Sequence, residues 1–159
     1  MSYLLRLKHW QLFIILVCLP LISDLFVLIS MLFYFAWVFA IGSTIHAKIA
    51  ASHRPNNGLY LACFAVAVVL SCIILIPKTT LSYYSGGEYH YLSWLLLGVY
   101  FFSCVYLLYF STKMLVTAMG GGDFPLWFLR FVFYFVGVWY IQPMVQGLYE
   151  EGGEMGVQE

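Results

Sequence analysis

The chain has 159 residues, seven basic and seven acidic side chains, and no net charge at neutral pH. Charged residues make up 9% of it, against about 25% in a soluble domain, and mean hydropathy is +0.92, so a soluble fold of this size has too little interior to hide the apolar surface. No basic run is present, which gives binding to nucleic acid or to anionic lipid as a main function no support.

Four apolar blocks, roughly 12–45, 59–76, 92–110 and 126–141, are separated by short segments that hold nearly every charge. They predict an all-α fold: a polytopic transmembrane helix bundle in one domain over 1–149, followed by an acidic tail over 150–159. Arg6 and Lys8 ahead of the apolar run 12–22 have the look of a secretory signal. The residue two positions before Ser23 is Leu21 rather than a small one, and no lipoprotein pattern precedes Cys18, so a retained helix is expected. Cys18, Cys63, Cys72 and Cys104 all lie inside apolar blocks and read as reduced, small apolar residues.

The first block would be about 51 Å long as one helix, against a hydrocarbon core of about 30 Å, so it turns. Pro20 disfavours helix for the residue before it, and Ser23 or Asp24 can cap a helix beginning at Leu25. If Arg6 and Lys8 snorkel along the first arm, that arm is a full span; otherwise it is short or re-entrant. The expected helices cover about 4–22, 25–45, 59–76, 92–112 and 126–143, five in all, or four if the first block does not cross twice. With five crossings and a cytoplasmic N-terminus, Arg6, Lys8, Lys48, Arg54, Lys113 and Arg130 lie inside and Lys78 outside, six against one. Four crossings leave no bias, so the basic residues favour five in a cell membrane, with the C-terminus extracytoplasmic.

Asn56-Asn57-Gly58, Pro77 and Ser85-Gly86-Gly87 mark helix boundaries. Gly120-Gly121-Gly122-Asp123-Phe124-Pro125 reads as a joint and a helix start, with Asp123 placed to cap and Pro125 in the first turn. The lysine and hydroxyl of a phosphate-binding loop are missing from it. Small residues recur every four positions at Ala36, Ala40 and Thr44, and again at Cys63, Ala67 and Ser71, and these two faces are expected to meet, because helices in lipid associate through close packing. Tyr83, Tyr84, Tyr89, Tyr91 and Trp94 suit one interfacial belt, and Trp10 and Trp127 the other.

Few polar residues have the setting for chemistry. Asp24 is the one acid within an apolar block, placed as a helix cap or as an ion site. Arg130 begins the last block, where it can snorkel or pair with Asp123. His9 and His46 would share one end of a helical hairpin and form a candidate cofactor site, although haem usually wants deeper ligands. His46 and His53 are about 10 Å apart along a helix, too far to chelate one ion. No cofactor, metal site or catalytic set is therefore expected. Non-enzymatic association with other membrane subunits or with a second copy is the leading expectation, and a transport component with Asp24 and Arg130 in a polar path is the rival.

Two stretches, Lys8-His9-Trp10-Gln11-Leu12-Phe13 and Gly137-Val138-Trp139-Tyr140-Ile141-Gln142-Pro143, resemble small polytopic bacterial inner-membrane proteins without an assigned activity. That resemblance implies the helical membrane fold and no particular chemistry.

Overall fold

A computed structural model describes residues 5–48, 55–75 and 90–154, and all regular structure among them is helical. The first helix, α1, covers His9–Leu21. It is α-helical over His9–Phe13, widens into π-helical turns over Ile14–Cys18 and tightens to 3₁₀ over Leu19–Leu21. There follow α2 (Asp24–Lys48), α3 (Gly58–Leu75), α4 (His90–Ala118), α5 (Phe124–Val132) and α6 (Tyr134–Glu154). Two of these, over Leu25–Lys48 and Trp94–Ala118, are long and apolar enough to cross a membrane, and a third span is reached if α5 and α6 are taken together.

The chain turns after Pro20, as expected. Phe26 and Val27 donate their N–H groups to the Ser23 carbonyl (3.0 and 3.2 Å), so α2 starts at Asp24. Proline also explains the odd geometry of α1. The Leu19 N–H bonds to the carbonyl five residues back, that of Ile14, and the next bond in that register would come from residue 20, which as proline has no N–H. Ser30 of α2 supplies the missing donor, its hydroxyl lying 2.7 Å from the Ile15 carbonyl. At about 20 Å, α1 is shorter than a bilayer core.

Helices α2, α3 and α4 form the centre. Tyr60 of α3 donates to the Val38 carbonyl of α2 (3.0 Å) and lies 2.8 Å from Ser111 of α4. Near the other end Tyr100 of α4 reaches Ser71 of α3 (3.2 Å) and Met31 of α2 (3.6 Å). Position 38 thus pairs with 60 and 111, and 31 with 71 and 100, so α2 and α4 run parallel and α3 antiparallel to both. Phe39 stacks on Tyr60 and Phe64 at 5.1 and 4.2 Å, and Tyr60 on Phe110 at 4.3 Å. Gly42 makes the crossing feasible, since a Cβ there would collide with the Tyr60 hydroxyl.

The last block departs from the single helix expected over 126–143. Phe133 leaves helical geometry (φ −89°, ψ 63°), and the two limbs, Phe124–Val132 and Gly137–Leu148, are bent by 116°. Gly137 permits the fold-back, because a Cβ at this position would overlap the carbonyl of Arg130. Both limbs attach to α2, and α5 also to α4. Phe124 of α5 lies against Tyr109 of α4 (5.5 Å), and the Phe131 carbonyl accepts from Tyr34 (2.6 Å). On α6, Gln142 accepts from Trp37 (2.8 Å) and the Leu148 carbonyl from Lys48 (2.8 Å). Hence α5 rises beside α4 to the level of Tyr34, about 21 Å short of Lys48 along α2, and α6 descends parallel to α2. The two limbs thus form a bent helical hairpin against the bundle.

Replacing Gly137 by alanine should therefore destabilise the protein by about 1–3 kcal/mol, the usual range for forcing a methyl into a packed site. Gly147→Ala, where a Cβ meets nothing within 4 Å, should be neutral or stabilising. Thermal unfolding of both variants in one detergent makes the comparison.

Candidate functional site

The α5–α6 hairpin carries a buried side-chain amide into the bundle. Gln142 and Gln146, four residues apart, lie on one face of α6, and Gln142 is fully buried. Its carbonyl oxygen accepts from the Trp37 indole, and its amide nitrogen donates to the backbone carbonyls of Leu5 and Leu7, each at 2.8 Å. Gln146 donates to the same two carbonyls at 3.2 and 3.0 Å. Helical geometry ends at Arg6, and Leu7 and Lys8 are not helical, so these carbonyls lie at a helix end, where a partner must come from elsewhere. Just beyond, the Gln11 side chain accepts the Lys8 N–H (2.9 Å) and closes the start of α1. His9 then lays its ring on Trp139 (4.5 Å), with Phe13 on the same indole (5.9 Å). The stretches 8–13 and 137–143, far apart in sequence, meet here.

Arg130 occupies the last turn of α5. Its guanidinium lies over the Trp127 ring at 4.3 Å and the Tyr140 ring at 4.7 Å, between the two limbs of the hairpin. A central arginine costs about 2.5–3.5 kcal/mol on insertion scales, and each ring returns about 0.5–2 kcal/mol, so the two rings offset much of that cost. Asp123, expected as a capping side chain and as a partner for Arg130, begins α5 through its backbone carbonyl alone, which accepts from the Trp127 N–H (3.2 Å).

The other residues singled out by sequence fall in separate places. Asp24 is the first residue of α2, and its side chain lies outside those described; the contacts of Arg130 are with the hairpin rings. His46 is buried, and its Nε2 lies 2.7 Å from the Pro55 carbonyl. A carbonyl accepts only, so this nitrogen carries the proton and is not a ligand in this arrangement. His9 and His46 thus have different partners, and His53 lies outside the described residues. Among the described residues, no group of three or more His, Cys, Asp or Glu side chains is placed to hold a metal ion, and Cys18, Cys63, Cys72 and Cys104 are free thiols. Ala40, Cys63, Ala67 and Ser71 are buried, while Ala36 and Thr44 are partly exposed. The resolved contacts between α2 and α3 include Phe39, Gly42 and the Val38 carbonyl meeting Tyr60 and Phe64.

No family model, curated protein or solved structure matches this chain.

Trp37, Gln142, Gln146, Trp127 and Tyr140 were not singled out by sequence reasoning as a site. A signal existed, since Gln142 and Gln146 are the only side-chain amides between 126 and 148 and sit at helical spacing. Gln142→Leu leaves the Trp37 N–H without its acceptor, and we expect a loss of about 1–3 kcal/mol, the usual cost of an orphaned buried group. Gln142→Glu keeps the acceptor but turns a carboxylate oxygen toward two carbonyls, so it should be at least as damaging. Limited proteolysis should show the segment before α1 cut faster in both variants.

Proposed function

We propose that this chain is a multi-pass protein of the cell membrane that works by association, as a subunit of a membrane complex or with a second copy of itself. The observation that carries this reading is the flank of α4. In the most apolar stretch of α4, 28% of residues are buried, against 50% for α2, and Trp94, Leu95, Phe101 and Phe102 are each about 60–70% exposed. Beside this ridge Phe102, Val105, Tyr106 and Tyr109 of α4 form an open groove with Phe124 and Phe128 of α5. Rigid aromatic surface of this kind suits packing against another transmembrane helix. The small residues Ala40, Cys63, Ala67 and Ser71 are already buried in the chain's own core, so the contact surface moves to α4.

The topology that accompanies this reading has α2, α3 and α4 as crossings, α1 as a shorter helix leaning on α2, and α5–α6 as a hairpin that enters and leaves on one side. Lys48, Arg54 and Lys113 then belong to the side on which α2 and α6 end, and Lys78 to the other, three against one. That is the cytoplasmic signature. In place of the extracytoplasmic C-terminus expected from five crossings, the C-terminus is cytoplasmic. This layout is also compatible with the resemblance to small bacterial inner-membrane proteins.

The transport reading, with Asp24 and Arg130 along a polar path, has weaker support, because Arg130 is held between two rings of the hairpin. The two readings separate by experiment. Native mass spectrometry from mild detergent should find a second copy or another chain bound to the wild type, and Phe101→Ala with Phe102→Ala should weaken that species at least several-fold. A wild-type chain that is always a bare monomer contradicts association. Normal accumulation with a lost ion or solute flux in Arg130→Gln would favour transport.

A further inference from the structure

Helix α4 turns one side into the bundle and the opposite side away from it. Ser103, Leu107, Phe110, Ser111 and Met114 are buried. By contrast Trp94, Leu95, Phe101 and Phe102 are 58–69% exposed, and Val105 and Tyr109 are 38% and 43% exposed. Positions 94, 98, 101 and 105 follow one another at intervals of four, three and four, the spacing of a seam along which two helices pack. Three of the four carry bulk, and the fourth, Gly98, is a gap. A Cβ at Gly98 would meet nothing within 4 Å. The chain's own packing therefore makes no use of the missing side chain, although glycine disfavours a helix interior. No charged residue occurs between Trp94 and Tyr109, so what lies on this side is matched by shape and not by charge.

We propose that this side of α4 is the contact between two copies of the chain, related by a two-fold axis along the membrane normal, with Gly98 of one copy against Gly98 of the other. Copies inserted in the same orientation bring their α4 helices together in parallel, and an axis beside residue 98 makes the surface its own complement. The two gaps let the backbones approach, and Phe101 of each copy fills the space beside the partner's Gly98. The six exposed side chains present roughly 650 Å² per copy, near the about 800 Å² per partner of a standard interface. Lipid tails would cover a uniformly bulky side just as well, whereas a gap in a bulky seam is what a second helix backbone needs. The inference rests on the association reading above and commits it to a second copy.

The test uses the full chain in two settings. Phe101→Cys, Val105→Cys and, on the exposed side of α3, Val69→Cys are placed singly in a cysteine-free background and oxidised with copper phenanthroline in the membranes of the expressing cells. Val69 is 55% exposed and serves as the control. Disulfide-linked dimers should form at 101 and 105 and not at 69. In liposomes, energy transfer between donor- and acceptor-labelled copies at rising dilution in lipid should show Gly98→Leu dissociating about tenfold more readily than the wild type, the effect of forcing bulk into a packed contact. Its circular dichroism should stay unchanged, because the added side chain points away from the fold. Gly98→Ala should fall between. Dimers linked at 69 and not at 101 or 105, or equal dissociation of wild type and Gly98→Leu, overturn the proposal and leave association through another face. A different chain bound in place of a second copy also overturns it and keeps the association reading. A wild-type chain that neither cross-links, transfers energy nor retains any other chain defeats both.

Discussion

Backbone carbonyls left over where a helix stops inside an apolar bundle have to be answered by a donor, and the buried amide of Gln142 answers two of them at once. Leu5 and Leu7 end short of α1, at the depth of Trp37 instead of at the end of the bundle. Without an amide at this point the chain would bring unpaired carbonyls into the core. With it, the first turn of the protein, the centre of α2 and the returning limb of the hairpin are tied together through one side chain. Gln146 repeats the contact one turn later and extends the clamp.

The same rule accounts for the irregular parts of the fold. Pro20 removes the donor due to the Ile15 carbonyl, and Ser30 replaces it from the neighbouring helix. Ser71, Ser103 and Thr112 return their hydroxyls to carbonyls four residues back on their own helices, the usual way for such side chains to be satisfied without solvent. At the crossing of α2, α3 and α4, Tyr60, Ser111 and the Val38 carbonyl lie within 3.0 Å of one another. Two hydroxyl protons serve three contacts, so two of the three bonds exist at a time. Among the described residues no buried side-chain nitrogen or oxygen is left without a partner.

Much of this was legible in the sequence. The length of the first block demanded a turn, and Pro20 with Ser23 located it to within a residue. Asn56-Asn57-Gly58 opens α3 as expected, with the Gly58 N–H bonded to the Asn56 side chain (2.8 Å). The hairpin was not legible, because hydropathy is blind to direction: an apolar run long enough to cross reads the same whether it continues or folds back. Gly137 permits the fold-back, since a Cβ there would overlap the Arg130 carbonyl, and a lone glycine in an apolar run does not announce that role. Arg130 suffered the same fate. As the start of a crossing it reads as an interfacial anchor, and the fold-back makes it a cation between two rings.

The proposed topology requires that the chain return to the side it entered. In a cysteine-free background, single cysteines at Asn56, Asp123 and Gly152 mark the α2–α3 connection, the foot of α5 and the end of α6. A membrane-impermeant maleimide applied to sealed vesicles of known orientation should label all three from the same face. Labelling of positions 56 and 123 from one face and 152 from the other would show that the last block crosses, and would contradict the re-entrant fold.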